Sequence, residues 1–199
     1  MGMSIVERIE ALEDAVKKMQ KEKSVKLHKN LSVGDEFQML GMNWKLLEIS
    51  EKGYHCLVMD LMEKLPFDKS VNKWDESSLR KYLNEDFYAA LADGIGEENI
   101  IPFERNLISL DGQTEYGSCE DRVSLLTVDE YRKYRSMIPN TDDYWWWLIT
   151  PWSTKCNGYD TLVAVVSPSG YFSDYYSDDS NGVRPFCIFS SAIFESEDV

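Results

Sequence analysis

Three tryptophans stand in a row at Trp145-Trp146-Trp147, followed by Leu148 and Ile149, and no other segment restricts the fold so sharply. In a strand, alternate residues face opposite sides. Trp145 and Trp147 then share one face and Trp146 takes the other, so at least one face must be core. On this reading the trio is mainly structural; the competing reading is a stacking platform for sugars. A second rigid element, Gly182-Val183-Arg184-Pro185, follows later, and Trp152 to Asn181 between them is crowded with Ser, Tyr, Asp and Asn. Tyr gives large contact area at low entropic cost, and Ser, Asn and Asp give adaptable hydrogen bonds, the composition of an antibody-like contact surface.

The chain has 199 residues, enough for one domain with a small appendage. A formal net charge of −14 repels phosphate backbones and anionic membranes, so neither a nucleic-acid partner nor membrane insertion is expected. No apolar run approaches a membrane span, and Met1 to Val16 lacks a continuous apolar signal core. Synthesis in the cytoplasm is expected, compatible with later assembly into a virion. Cys56, Cys119, Cys156 and Cys187 are widely spaced with no CxxC pair, which predicts buried free thiols rather than a zinc site. His55 reads as a packed core residue and His28 as solvated. No metal and no cofactor are expected.

Residues 4–23 read as one helix, opened by the capping box Ser4-Ile5-Val6-Glu7. Ile5, Ile9, Leu12, Val16 and Met19 recur in alternating steps of four and three, a short heptad seam that predicts a coiled coil joining two or three protomers, the competing reading being an amphipathic helix lying on its own domain. The division is a coiled-coil helix over 1–24, a basic linker over 25–30, a domain over 31–190 and an acidic tail over 191–199. Glu36 to Leu40, Asn43 to Ile49 and Tyr54 to Asp60 read as strands, with Gly41 and Gly53 at hairpin turns and Trp44 in the core. Asp75 is the expected N-cap of a helix over 77–84, and Asn84 is expected to end it or to cap a second over 85–91. Residues 97–121 read as loop-rich, with a strand at 107–110. A strand at 122–126 precedes a second capping box, Thr127-Val128-Asp129-Glu130, and a helix to about Arg135. Strands are then expected at 145–149, 161–166, around Tyr171-Phe172, and at 183–190. The fold class is α+β.

The domain resembles a family of uncharacterised bacterial and phage domains with a C-type-lectin-like, formylglycine-generating-enzyme-like fold. The matching residues are Gly34-Asp35 with Trp44, Trp74 with Ser78-Leu79-Arg80 and Leu83-Asn84, and Leu125-Leu126-Thr127 with Glu130. Trp146-Trp147-Leu148 with Thr150-Pro151, Gly170 and Gly182-Val183-Arg184-Pro185 complete them. That family usually has an Arg after Trp-Trp-Leu; Ile149 stands here, which puts any salt bridge of that Arg in question. The resemblance extends to variable proteins of diversity-generating retroelements, some of them phage receptor-binding proteins. It implies a non-catalytic protein that shows a variable C-terminal surface to a protein or glycan on a cell surface. The residues assigned to that surface are Trp152, Asn157, Tyr159, Asp160, Tyr171, Asp174, Tyr175, Tyr176, Asp178, Asp179 and Asn181. Replacing Tyr175 and Tyr176 with Ala is expected to abolish binding and leave the melting temperature nearly unchanged.

Three other readings compete. Arg184 invites a role as a ligand-binding cation, though the favoured reading is a buried, hydrogen-bonded Arg that pins the variable loop to the frame, its planar fork satisfying several carbonyls. Asp174, Asp178 and Asp179 are hard oxygen ligands of the kind that hold Ca²⁺, but a solvated acidic loop is favoured over a cation cage. Formylglycine-generating oxidases share a Gly-x-Arg ending and need a copper-holding cysteine pair, for which Cys156 and Cys187 are the late cysteines present. A structural phage or cell-surface assembly subunit is the remaining alternative.

Overall fold

The computed structural model describes residues 31–194. The helix expected over 4–23, the linker after it and the tail from 195 onward lie outside the described residues. The described chain is α+β and mostly sheet, with open sheets and one helix of 18 residues.

The first strands are β1 (Glu36–Met39), β2 (Met42–Ser50), β3 (Gly53–Val58) and the short β4 (Lys64–Pro66). The β1–β2 hairpin turns on two residues, Leu40 and Gly41, both with positive φ of 52° and 77°. That conformation matches the right-handed twist of the flanking strands. Helix α1 follows, running through Ser78–Tyr82, a π-helical turn at Leu83–Phe87, and Tyr88–Ile95. Ser77, not Asp75, caps it by accepting from Arg80 N at 3.1 Å; Asp75 sits in the 3-10 turn Trp74–Glu76 ahead of it. Nor does the helix break at Asn84, whose side-chain amide instead ties the π turn to Arg122 and Val123. Asn84 donates to Val123 O at 2.7 Å and accepts from the Arg122 and Val123 amides.

The stretch expected to be loops holds β5 (Ile100–Ile101), then β6 (Phe103–Asn106) and β7 (Ser118–Asp121) paired as a ribbon. The strand expected at 107–110 is absent. Then come β8 (Val123–Ser124), α2 (Val128–Tyr134), β9 (Trp146–Pro151), β10 (Leu162–Val166), β11 (Phe172–Tyr176), β12 (Ser180–Gly182) and β13 (Phe186–Phe189). The capping box of α2 is complete: Glu130 N donates to Thr127 Oγ1 at 3.1 Å and Thr127 N to Glu130 Oε2 at 2.8 Å.

One sheet has the order β1-β2-β3-β13-β5, with β8 also on β13; the other runs β11-β10-β9-β12-β4. Two apolar cores form against their faces. The first gathers Trp44, Phe67, Trp74, Leu79, Trp147, Ile149, Val163 and Val165; the second gathers Leu57, Leu126, Tyr131, Trp146, Leu148, Ala164, Val166 and Phe186. Strand β9 therefore sends alternate side chains into different cores. This is why its residues are apolar without alternation, as in a strand covered on both faces. Ile149 is wholly buried in the first core. The domain runs past residue 190: Ile193 and Phe194 are buried, and the Phe194 ring lies 5.2 Å from Phe37 and 4.8 Å from Tyr54. Among the described residues no helix is long and apolar enough to cross a membrane.

Candidate recognition edge

Strand β11 is an edge strand whose inner neighbour, β10, fixes its register: Val166 faces Phe172, Ala164 faces Asp174 and Leu162 faces Tyr176. Phe172 turns toward the second core, its ring 5.3 Å from Tyr131. Tyr175 lies half-buried on the opposite side, 5.3 Å from the Trp145 ring. Trp145 also meets Tyr171 edge-on at 5.5 Å. Tyr171 is 58% exposed and Tyr176 is 59% exposed. Trp146 and Trp147 are wholly buried, so Trp145 alone of the trio reaches the surface, half-covered. Trp145 is not in the expected set; the strand expected from residue 145 starts at Trp146, which leaves Trp145 at the surface end of β9.

Past β11 the chain turns back. Asp178 and Asp179 are exposed, and Asp179 N donates to Tyr176 O at 3.0 Å. Ser177 anchors the turn: its amide donates to Thr161 O at 2.7 Å, and its carbonyl accepts from Asp68 N at 2.9 Å. The loop before β10 lies at this same end of the sheet, since Leu162 is paired with Tyr176 and accepts from Trp152 N at 2.9 Å. In that loop Tyr159 is 55% exposed, Asn157 is exposed, and Trp152 and Asp160 are half-buried. Tyr171 stands at the other end of β11. The expected residues thus form a strip along one edge rather than one compact patch.

Two of them are held by the frame. The Asn157 amide donates to Asp111 Oδ2 at 3.2 Å and to Ser153 Oγ at 3.3 Å. Hydrogen bonds from Ser109 and Ser153 keep the Asp111 carboxyl below its usual range. Asn181 is a correction: it is buried, at 5% exposure, because it lies in β12 between β4 and β9. It belongs to the frame and not to the edge.

The residue that fixes the loop is one the sequence reading missed. Asn72 is fully buried, and its amide nitrogen lies within hydrogen-bond reach of Ser153 O (2.9 Å), Tyr159 O (2.9 Å) and Leu162 O (2.8 Å). A lone Asn outside any motif gives no sequence signal of that role.

Arg184 is 1% exposed, and Nε and Nη2 donate to Val58 O at 3.2 Å and Met59 O at 2.8 Å. The favoured reading, a buried Arg that satisfies carbonyls, holds, although the carbonyls lie at the end of β3 and not in the variable stretch. Cys156 and Cys187, the late pair, do not converge. Cys187 is wholly buried opposite Cys56, whereas Cys156 is exposed in the turn Lys155–Asn157. Burial drives the Cys56 and Cys187 thiols well up, burial pushes Cys119 to about 12, and Glu115 raises Cys156. Among the described residues no group of three or more His, Cys, Asp or Glu side chains stands ready to hold a metal ion.

Comparison of the chain with protein-family models, curated proteins and solved structures gives no match.

Proposed function

We propose that the protein is a non-catalytic recognition module whose contact surface is the β11 edge and the loop beside it. The observation that carries this reading is that Tyr171, just before β11, and Tyr176, at its end, are more than half exposed while the neighbouring strand β10 is packed on both faces. Tyr171, half-buried Trp145 and Tyr175 form an aromatic cluster of the kind found at an interface centre, with Tyr176 farther along the strip and Asp160, Asp178 and Asp179 as polar contacts. In this reading the frame is C-type-lectin-like, the seam over 4–23 joins protomers, and avidity lifts a weak single-site affinity. The partner is a protein or glycan on a cell surface, reached from a phage or another retroelement-linked carrier.

The test compares wild type with a Tyr171→Ala/Tyr176→Ala variant for retention on a glycan array and on intact bacterial cells. Loss of retention with an unchanged melting temperature supports recognition. Unchanged retention removes the edge from consideration. A variant that binds normally but no longer assembles would point to a structural subunit. Sister copies of the gene that differ only at the edge codons, next to a reverse-transcriptase gene, would link the edge to diversification.

A further inference from the structure

Strand β11 ends its sheet, and among the described residues no strand pairs with its outer side. The bonds at its two ends decide which backbone groups face outward. Ser167 N donates to Tyr171 O at 2.9 Å and Ser177 N donates to Thr161 O at 2.7 Å, both in register with the β10–β11 ladder. In an antiparallel pair, bonded and non-bonded positions alternate. Tyr171, Ser173, Tyr175 and Ser177 therefore turn their backbone groups toward β10, and Phe172, Asp174 and Tyr176 turn theirs outward. Tyr176 O accepts from Asp179 N at 3.0 Å. Among the described residues no partner meets the N–H groups of Phe172, Asp174 and Tyr176 or the carbonyls of Phe172 and Asp174. Such a row is a template for another strand.

The side chains along the edge are also graded in charge. At its start the Arg132 guanidinium lies 5.3 Å from the centre of the Phe172 ring and is already paired with Asp129. Half-buried Asp174 in the middle, and exposed Asp178 and Asp179 past the end, have no ion-pair partner among the described residues. On the other face Tyr175 and Tyr171 both meet the Trp145 ring.

The open backbone row and the unpaired carboxylates select among occupants. A second copy fits poorly. Pairing over the full length of β11 would set Asp174 against its own copy, and like charges directly opposite are destabilising. Each copy also carries a formal net charge of −14. A glycan has no alternating row of N–H and C=O groups to continue the ladder. We propose that β11 recognises an extended basic peptide segment by strand addition, which rests on the recognition reading above and names its partner. The added strand sets a lysine or arginine opposite Asp174 and lays apolar side chains on the Tyr175 face.

The probe is a capped, fluorescent peptide of alternating valine and lysine, long enough to span β11, titrated against the full chain by anisotropy. It should bind saturably, and amide exchange should slow at Phe172, Asp174 and Tyr176. Methylating the lysine amides, which face β11 when a lysine stands opposite Asp174, should weaken binding about tenfold or more. Methylating the valine amides instead should leave affinity within about twofold, because those groups point away from β11. Asp174→Asn should weaken the parent peptide about two- to fivefold. The proposal is overturned by an absence of saturable binding, by equal binding of the two methylated peptides, which marks charge attraction alone, or by slowed exchange elsewhere than at β11. If it fails while Tyr171→Ala/Tyr176→Ala still abolishes retention on the glycan array, the recognition reading stands and only the peptide partner falls.

Discussion

Tyr116 donates its hydroxyl proton to Asn72 Oδ1 at 2.8 Å, deep beneath the loop that carries Tyr159. The same phenol oxygen accepts from Lys155 N at 3.2 Å, so one buried pair holds that loop from two sides. Asn72→Ala removes the two N–H donors shared among three carbonyls and the acceptor of Tyr116. The expected loss is about 2–4 kcal/mol, since an unmet buried polar group costs more than a made bond returns. Tyr116→Phe removes a single hydroxyl and should cost about 1 kcal/mol. Urea denaturation of both variants checks this. Equal and small losses would mean that the loop is held by other contacts.

Tyr175 and Tyr176 are neighbours with different duties. Tyr176 is 59% exposed, and Tyr176→Ala should change stability by no more than about 0.5 kcal/mol. Tyr175 packs on Trp145 and against the first core, so Tyr175→Ala should cost about 1–2 kcal/mol. The expectation that both can be removed without thermal consequence is therefore narrowed to Tyr176. Melting curves of the two single variants decide it; equal shifts would put both side chains in the same environment.

The sequence carried the local rules well and the long-range ones poorly. The strands expected at 145–149 and 161–166 form at Trp146–Pro151 and Leu162–Val166, and the capping box at Thr127 forms as expected, all three being written in neighbouring residues. The π turn at Leu83–Phe87 was not legible, because Asn84 stays in the helix by bonding to Val123, 39 residues away. The β6–β7 ribbon was hidden in the same way, its two strands being short and separated by a long loop. Asn181 has the same residue type as the edge residues, and only the pairing of β12 with β4 puts it inside. Composition marked the right stretch for the candidate surface but could not tell which side chains the frame would claim.

Arg105 and Glu130 form an ion pair, buried on the arginine side and part-exposed at the carboxylate, that joins the β6–β7 ribbon to the cap of α2. Arg105 is 3% exposed, its Nη1 and Nη2 donate to the two Glu130 oxygens at 2.7 and 2.6 Å, and it lies over the Phe103 and Phe186 rings. Glu130→Ala leaves the guanidinium buried with Leu125 O as its remaining hydrogen-bond partner. The expected loss is about 3–5 kcal/mol, the usual cost of breaking one side of such a pair. Arg105→Met/Glu130→Leu removes both charges and should lose less than Glu130→Ala alone. A double variant less stable than the single one would refute this account.

Acid should unfold the protein in two stages. His55 is half-buried rather than a fully packed core residue, with Nε2 2.8 Å from Ser50 Oγ. Burial lowers its pKa below 6.5, and Lys133 and Lys52 add to this, against the pull of Glu48 and Glu130. Because the folded state resists protonation, the unfolded state binds more protons in this window. Stability is therefore full above 6.5 and falls as pH drops from there toward the lower folded value. The second stage belongs to carboxylates held low in the fold. Glu130 is lowered by Arg105 despite its burial, and Glu48 and Glu36 are lowered by hydrogen bonds from Lys133 and Lys45. Their contribution is present above 4.5 and is lost as pH falls through their folded values. Urea midpoints measured from about pH 7.5 to about pH 3 should show both stages. His55→Gln should flatten the upper stage and leave the lower one in place. If the upper stage survives that substitution unchanged, His55 is not its source.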